Sequence, residues 1–405
     1  MVLYDLVVVG GGAAGIVAAI VAARTGVSVL ILEKNEKIGK KLLATGNGRC
    51  NLGNDNLSLD NFVCPDLGVA KQVLEQFGAR EAAQFFAELG LVLVSEEGRR
   101  YPRTKQASSV LEVLQQELRR LRVEVAINSP VQTIAASDTG FTLTHEAGTK
   151  MARRVLLATG GMAAPQLGCS GDGYALAKAC GHSISPPSPT LVGLKIKSPY
   201  RKALSGLRIR AEVSIPELSL SERGEIIFTD YGLSGIPVFD LTRQIGHRQD
   251  LTLRLRLAYE EQNEVLLRQF WRERSKRLAH KYVDEALAGY LPQQLIVPVL
   301  REISLAPKTL AGQLPEECIA RLCSLLWSWY FPIIGLNTWE QAQTTWGGIP
   351  LNEVEPATLT SHRQPGIFFA GEILDVHGRC GGYNLHWAFA SGFVAAQAIA
   401  RCHQF

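Results

Sequence analysis

The sequence predicts an α/β fold in which the two ends of the chain share one parallel sheet, interrupted by an inserted antiparallel β part and an inserted helical part. An apolar run, a glycine turn and an alanine-rich run occupy residues 3–24, and a second apolar run occupies residues 27–32. Glycine-rich segments return after Trp346. In between, residues 190–256 alternate between polar and apolar types, and residues 258–328 are charged with helical spacing.

Length, composition and charge narrow the possible classes. The 405 residues are enough for two or three domains with a sizeable core. Apolar residues make up 46% and charged residues 20%, which excludes a disordered chain. The net charge is only +4, yet residues 190–310 hold 19 Lys and Arg against 14 Asp and Glu. This excess has two open interpretations, ordinary solvated faces or contact with an anionic partner such as RNA.

The cysteines and the apolar N-terminus indicate a reduced, cytoplasmic protein. None of the eight cysteines belongs to a CxxC pair, so they predict neither a metal site nor a disulfide framework. The segment from Leu6 to Ile20 has no basic residue before it and contains four glycines, which favours a strand, a turn and a helix over a signal peptide. No uninterrupted apolar run reaches about 18 residues, so we expect no membrane span.

The first thirty residues or so predict a Rossmann-type βαβ unit. Leu3–Val9 is an apolar, β-branched run suited to a buried parallel strand. Ala13–Arg24 predicts a helix that Gly26 ends, and Val27–Leu32 predicts a second buried strand.

Three glycines stand between the first strand and the helix. Gly10 permits the tight turn, Gly12 lets the backbone approach a pyrophosphate, and Gly15 lets the helix pack against the strand. The helix N-terminus that follows favours anions because its N–H groups are free. Glu33 lies 23 residues after Gly10, where its carboxylate can accept hydrogen bonds from both ribose hydroxyls of an adenosine. The unit therefore predicts dinucleotide binding rather than a plain glycine turn.

A loop of small residues with basic flanks, residues 39–51, follows this unit. Such a loop can wrap the pyrophosphate and reach the ribityl chain of FAD, whereas NAD domains do not need one; the alternative is a flexible surface loop. Lys34 and Lys41 are predicted to be solvated or close to the cofactor phosphates. Arg49 can stabilise a substrate anion or a cofactor phosphate, and we favour the phosphate.

Two later motifs bring the chain back to the cofactor. The strand at residues 155–157 ends in Ala158-Thr159-Gly160-Gly161, where the chain is expected to pass the dinucleotide. The strand at residues 367–370 ends in Gly371 and Glu372, which positions a carboxylate at the ribityl hydroxyls.

The last motif opens the C-terminal helix with Gly381-Gly382-Tyr383-Asn384. Backbone N–H groups at that N-terminus can point at the pyrimidine side of an isoalloxazine and stabilise negative charge on the reduced flavin. Together the four motifs predict FAD as the cofactor.

The remaining patterns set the expected domain boundaries. Residues 68–90 and 107–122 predict amphipathic helices, and a Pro-rich stretch at 185–189 marks a boundary. We expect a Rossmann-type FAD-binding domain formed by residues 1–189 and 341–405, an inserted antiparallel, barrel-like β subdomain at 190–257 completed by part of 330–350, and an inserted helical subdomain at 258–328.

The motif blocks resemble the YhiN/BaiN/RdsA-like flavoprotein family over essentially the whole chain. The resemblance is carried by the runs Val7 to Asn51, Gly98 to Pro102, Ala107 to Val110, Gly347 to Ile349, Thr358 to Ser361 and Ala370 to Leu385. It implies a fumarate reductase/glutathione reductase-type FAD fold with two inserted subdomains. It also implies reduction of carbon–carbon double bonds in members linked to bile-acid dehydroxylation and of a uridine in ribosomal RNA in others, while some members are named aminoacetone oxidases.

The chain departs from this family beside the expected flavin site. The family usually has Pro-Thr before the glycine pair, where this chain has Arg379 and Cys380, with His377 just before them. We take His377 and Cys380 as candidate catalytic residues. Cys380 is either a proton donor or a small packing residue, and His377 is either an acid or flavin partner or an exposed loop histidine.

The sequence therefore predicts an FAD-dependent oxidoreductase that passes hydride from the reduced flavin to an electron-poor C=C bond. No second strand–glycine turn–helix motif appears, so NAD(P)H is expected to bind transiently as the reductant. The substrate is a uridine of ribosomal RNA or a small molecule, either a bile-acid-like enone or an amine. A non-catalytic flavin-binding redox protein is a further alternative. The residues expected to contact FAD are Gly10, Gly12, Ala13, Ala14, Gly15, Glu33, Lys34, Lys41, Thr45, Gly46, Gly48, Arg49, Cys50, Asn51, Val131, Ala158, Thr159, Gly160, Gly371, Glu372, Asp375, Gly382, Tyr383 and Asn384.

Overall fold

The computed structural model describes residues 2–403 and divides the chain into two compact units. The first unit consists of the chain up to Thr190 together with the chain from Thr338 onward, and the second runs from Leu191 to Asn337. The α/β fold class is confirmed: the first unit contains the parallel sheet and the second contains a closed antiparallel barrel. The finer division of the second unit into a β subdomain and a helical subdomain stays a prediction.

Strands and helices are interspersed along the chain. Up to Thr190 they are β1 (Leu3–Val9), α1 (Ala13–Ala23), β2 (Val29–Leu32), α2 (Lys40–Ala44), β3 (Gly53–Asn54), β4 (Phe62–Val63), α3 (Leu67–Gln76), α4 (Ala79–Glu88), β5 (Leu93–Glu96), β6 (Arg99–Pro102), α5 (Ala107–Arg120), β7 (Glu124–Ala126), β8 (Val131–Ser137), β9 (Gly140–His145), β10 (Gly148–Leu157), α6 (Asp172–Ala179) and β11 (Ser185–Thr190). The second unit holds β12 (Leu194–Ile196), α7 (Arg201–Leu204), β13 (Arg208–Ile215), β14 (Leu220–Phe228), β15 (Gly232–Ser234), α8 (Ile236–Thr242), β16 (Thr252–Arg256), α9 (Glu264–Arg277), α10 (Val283–Leu287), α11 (Gln293–Glu302), α12 (Glu316–Trp327) and β17 (Trp329–Leu336). The chain then completes the first unit with β18 (Thr344–Gly348), β19 (Ile367–Phe369), β20 (His377–Gly378) and α13 (Tyr383–Arg401).

The main sheet of the first unit has the order β7-β2-β1-β10-β9-β8, and β19 also pairs with β10. Strands β7, β2, β1, β10 and β19 run parallel to one another, whereas β9 pairs antiparallel with β10 and β8 pairs antiparallel with β9. Apolar, β-branched residues fill β1 and β2 because both faces of a parallel sheet are covered. This arrangement brings the ends of β1, β2 and β10 to the same edge.

Two alanine-rich helices, α1 and α13, pack closely together in the core of the first unit. A Cβ added at Gly392 of α13 would lie 2.4 Å from the carbonyl oxygen of Ala14 in α1, so the approach requires a glycine there. The predicted helical segment 68–90 forms two helices, α3 and α4, which meet at Gly78.

The second unit is built on a closed barrel of order β12-β15-β14-β13-β16-β17. Apolar side chains alternate along its strands, as in β16, where Leu253 and Leu255 are fully buried between half-buried polar residues. The Pro-rich stretch at 185–189 is part of strand β11 in the first unit, and among the described residues 2–403 β11 pairs with β18 alone. A strand paired on one side tolerates prolines because its other side needs no N–H donors.

Within residues 2–403, no helix is both long and apolar enough to cross a membrane.

We expect the stability of the protein to fall on acidification because of one buried histidine in α13. His386 is 1% exposed, and its Nε2 atom lies 2.9 Å from the carbonyl oxygen of Phe77. Burial lowers the pKa of His386 to about 4, so below its unfolded pKa of about 6.5 the unfolded chain binds the extra proton and the folded one does not. Between pH 6.5 and 4 this should cost about 3 kcal/mol of the free energy of unfolding. Urea titrations of the wild type and His386→Gln at several pH values test this, and parallel pH dependences of the two proteins would contradict it.

Candidate functional site

A cavity opens in the first unit at the carboxyl ends of β1, β2 and β10. Its walls include Val9 and Leu32, which end β1 and β2, and Ala158, which directly follows β10. The empty space between the walls, including the part open to solvent, measures about 1340 Å³. In open α/β sheets this edge is where ligands bind.

The glycine turn after β1 gives the cavity a backbone wall. Gly10 has φ 106°, and a Cβ there would lie 2.5 Å from the carbonyl oxygen of Ala158. A Cβ at Gly15 would lie 2.0 Å from the carbonyl oxygen of Gly10, so this glycine lets α1 pack against the turn. Around Gly12, by contrast, nothing lies within 4 Å of an added Cβ. A ligand can therefore approach the backbone at Gly12 and the N-terminus of α1.

Glu33 is held at the end of β2 by three hydrogen bonds. Its Oε2 accepts from the N–H of Gly11 at 2.7 Å, and its Oε1 accepts from the backbone and side-chain nitrogens of Asn35 at 2.8 and 2.6 Å. These donors stabilise the charged carboxylate and fix its orientation beside the glycine turn. Nearby, Lys34 forms an ion pair with Asp172 at 2.5 Å, and both residues line the cavity.

A second ion pair, Lys41 with Glu372, lies in the wall of the cavity. The Lys41 Nζ and Glu372 Oε2 atoms are 2.7 Å apart, and Glu372 Oε1 accepts from the N–H of Thr345 at 2.8 Å. Burial by itself lowers the pKa of Lys41, but the Glu372 carboxylate outweighs it and raises that pKa, so the ammonium stays charged. The cavity thus carries a fixed positive group against a fixed negative one.

The two candidate catalytic residues, His377 and Cys380, both precede α13 but differ in their burial and contacts. His377 is 1% exposed, its Nε2 lies 2.5 Å from Oδ1 of Asp375, and its ring stacks on Trp346 with the centroids 6.0 Å apart. The alternative of an exposed loop histidine is therefore wrong. Cys380 is half-buried and forms no disulfide.

Many of the predicted FAD contacts line the cavity, and others do not. Those that line it are Gly10, Gly12, Ala13, Ala14, Glu33, Lys34, Lys41, Thr45, Val131, Ala158, Thr159, Gly160, Gly371, Glu372 and Asn384. Those outside its walls are Gly15, Gly46, Gly48, Arg49, Cys50, Asn51, Asp375, Gly382 and Tyr383, together with His377 and Cys380. Some of the residues outside the walls contact other parts of the chain. The Arg49 guanidinium lies over the ring of Tyr101, and Asn51 lies against Gly382.

Sequence reasoning missed several residues of the cavity wall. They include Asn35, Ser129, Gln343, Thr344, Trp387 and the run from Gly168 to Gly173. In the sequence, only the glycines of that run, just before α6, could have indicated a position close to the ligand. Gln343 and Thr344 carry no such signal, because they reach the cavity through the pairing of β18 with β11.

The chemistry of these residues fits FAD. Thr159 Oγ1 and Thr344 Oγ1 are buried in the cavity wall and have no hydrogen-bond partner within residues 2–403; a polar ligand would supply one. The open backbone at Gly12 and the N-terminus of α1 suit a pyrophosphate, and the Glu33 carboxylate suits a ribose. No group of three or more His, Cys, Asp or Glu side chains within the described residues is arranged to hold a metal ion.

A Rossmann-type sheet with this cavity, interrupted in sequence by one unit of barrel strands and helices, is the architecture of an FAD-dependent oxidoreductase. Residues 4–398 match the family model described as "HI0933-like protein Rossmann domain", and the chain belongs to this family. The chain is an FAD-dependent enzyme of that class.

Two relatives match the chain along nearly its full length. One, named 3-dehydro-bile acid delta(4,6)-reductase, from Clostridium scindens, is 40% identical. The alignment covers 97% of this chain and 98% of the relative. The other, named ribosomal RNA dihydrouridine synthase, from Escherichia coli, is 28% identical with 98% coverage of both. They confirm the resemblance on which the expected family rested.

A solved structure shares the fold. The 3-ketosteroid delta1-dehydrogenase of Sterolibacterium denitrificans, in complex with 1,4-androstadiene-3,17-dione, superposes with a TM-score of 0.52 at 15% identity. The alignment covers 99% of this chain and 100% of that one. At this identity the similarity shows the fold alone.

Proposed function

We propose that the protein reduces a carbon–carbon double bond conjugated to a carbonyl group. The observation that carries this proposal is the pair of full-length relatives, whose names describe reduction of a 3-dehydro steroid acid and of uridine. The two substrates differ in size, but both contain a C=C bond next to a carbonyl. Their common chemistry is hydride addition to one carbon and protonation of the other.

The cavity residues would hold FAD along its length. Gly10, Gly12 and the first turn of α1 suit the pyrophosphate, and Glu33 suits the adenosine ribose. Glu372 and Lys41, fixed on each other, suit the ribityl hydroxyls and a phosphate. The N-terminus of α13, which begins beside Asn384, suits the pyrimidine ring. Contacts of FAD with the loop from Gly46 to Asn51 stay a prediction.

The chain itself would deliver the proton. Bound FAD supplies the hydride, so the protein must place an acid on the other carbon of the double bond. A proton donor has to come within hydrogen-bond reach of the substrate; Cys380 is half-buried, whereas His377 is enclosed by Asp375 and Trp346. We therefore assign the proton to Cys380 and a positioning role to the His377–Asp375 pair.

Two substrate classes remain, and the closer relative favours the smaller one. At 40% identity along the chain, the bile-acid reductase supports a small enone as the first candidate. A uridine of ribosomal RNA is the second, supported by the 28% identical relative and by the basic excess in residues 190–310. With either substrate, NAD(P)H would act as the transient reductant of a cytoplasmic enzyme.

The proposal is tested in two half-reactions. The purified holoprotein is reduced anaerobically with NADH or NADPH, and the flavin spectrum is followed as a 3-oxo-Δ4 steroid is added. We expect bleaching followed by reoxidation with loss of the enone absorbance. In parallel, dihydrouridine is mapped in ribosomal RNA of a deletion strain. Absence of reoxidation by any enone, together with unchanged RNA, would overturn the proposed function.

A further inference from the structure

A basic surface consists of Arg49, the ring of Tyr101 over which Arg49 lies, and Arg99 on the same strand as Tyr101; we call it the arginine shelf. We propose that the arginine shelf binds an anionic group of the substrate, a carboxylate or a phosphate, at a distance from the reacting double bond. This inference rests on the proposed function and names the substrate as an anion.

The shelf is formed by strand β6 and the loop that precedes β3. Arg99 and Tyr101 are two residues apart on β6, so their side chains leave the same face of the strand. The guanidinium carbon of Arg49 lies 4.9 Å from the centroid of the Tyr101 ring. Tyr101 is 5% exposed and forms the floor, whereas Arg49 is exposed and Arg99 is half-buried. Solvent therefore reaches both guanidinium groups.

The charge of the shelf is not neutralised by the protein. On the same hairpin, Arg100 pairs with Asp55 at 2.6 Å and Lys105 pairs with Glu96 at 2.5 Å. Arg49 and Arg99 have no carboxylate within 4.0 Å among residues 2–403. Positive groups without an acidic partner attract an anion from solution.

The shelf is connected to two segments that contribute residues to the cavity wall, the loop beginning at Thr45 and the start of α13 at Asn384. The loop that carries Arg49 begins at Thr45, whose carbonyl oxygen accepts from the N–H of Cys50 at 3.0 Å. The neighbouring strand β3 is joined to the turn before α13 by a hydrogen bond of 3.1 Å from Asn54 Nδ2 to the carbonyl oxygen of Gly381. These contacts hold the shelf against the same turn that carries Cys380.

The chemistry of a stacked arginine suits an oxygen anion. A guanidinium lying on an aromatic ring is restrained in orientation and still presents its N–H groups at the edge, where a carboxylate or phosphate can accept two hydrogen bonds. Such a bond to a charged group contributes enough to change affinity by about tenfold or more. An acid would therefore be selected over a neutral compound with the same double bond.

The test compares two enones that differ in one carboxylate. The holoprotein is assayed with neutral 4-androstene-3,17-dione and with 3-oxo-4-cholenoic acid, and the ratio of kcat/KM for acid over neutral is measured. We expect Arg49→Gln and Arg99→Gln each to lower this ratio about tenfold through KM. Arg80→Gln, which removes an exposed arginine of α4, is the matched control and should keep the wild-type ratio. Flavin content is measured for every variant to separate loss of FAD from loss of the anion.

A binding measurement keeps this test separate from the proposed function. Without reductant, the acid is titrated into the oxidised holoprotein and the change in the flavin spectrum gives Kd, even if neither enone is reduced. A ribosomal RNA fragment is titrated in the same way. Weaker binding of the acid by the two variants assigns the site to a carboxylate, and weaker binding of the RNA alone assigns it to a phosphate. Equal Kd values and equal ratios in the wild type and in both variants would overturn the inference.

Discussion

Replacing Cys380 by serine is expected to lower kcat for reduction of the double bond by about 100- to 10,000-fold, the contribution of a positioned general acid. A serine hydroxyl is close in size to the thiol but is a far weaker acid, so the turn before α13 should keep its conformation while protonation slows. Stopped-flow spectroscopy resolves the steps: bleaching of the flavin by NAD(P)H should keep its rate, and only reoxidation by the enone should slow.

The matched control is a second half-buried cysteine close to the same turn. Cys64 directly follows β4, which pairs with β20 through Val63 and His377. Burial raises the pKa of the Cys64 thiol to about 11, and its Sγ donates to the carbonyl oxygen of Asp66 at 3.4 Å, a bond that a serine can also make. Cys64→Ser should therefore leave both half-reactions unchanged. If His377→Gln slowed reoxidation and Cys380→Ser did not, the assignment of the proton to Cys380 would be wrong.

A methyl group at Gly12 is expected to weaken FAD binding by about 10- to 100-fold while the protein stays folded. The backbone at Gly12 is extended, with φ −84° and ψ −169°, which alanine adopts freely, and nothing lies within 4 Å of the added Cβ. That open space is where the pyrophosphate would approach, so the methyl group would lengthen hydrogen bonds to charged oxygens. Flavin fluorescence during titration of the apoprotein measures the change in Kd.

The same substitution at Gly15 should have the opposite pattern. Its Cβ would lie 2.0 Å from the carbonyl oxygen of Gly10, so α1 has to move away from the turn. Overpacking of this kind costs about 1–3 kcal/mol of the free energy of unfolding. Chemical denaturation of the apoprotein separates the two variants, because Gly12→Ala should unfold at the wild-type denaturant concentration. A destabilised Gly12→Ala with normal affinity for FAD would contradict this account of the turn.

The first βαβ unit was predictable because the residues that form its site are close together in sequence. Gly10, Gly12 and Gly15 belong to one turn, and Glu33 ends the adjacent strand, so a local pattern is enough to predict that they meet. The same holds for the elements: long apolar runs predicted β1, β2 and α1 close to their observed limits. The predicted helix over 68–90 became two helices, because Gly78 begins a second helix where the pattern of apolar residues continues.

Contacts between distant parts of the chain were not predictable in this way. Arg49 stacks on Tyr101, 52 residues further on, and lies outside the cavity wall, while its expected contact with a cofactor phosphate stays a prediction. Thr344 lies in that wall because β18 pairs with β11, and the whole second unit separates these two strands in sequence. No pattern within either segment contains this information.

The sequence by itself determined the fold class, the dinucleotide turn and FAD as the cofactor, since each depends on residues that are adjacent in the chain or repeat at a fixed spacing. Only the tertiary structure decided which side chains of the later motifs reach the cavity. It enclosed His377 between Asp375 and Trp346, left Cys380 half-buried, and set Arg49 on the arginine shelf. The physical reason is that burial and charge pairing depend on packing between segments far apart in sequence, which local propensity does not specify.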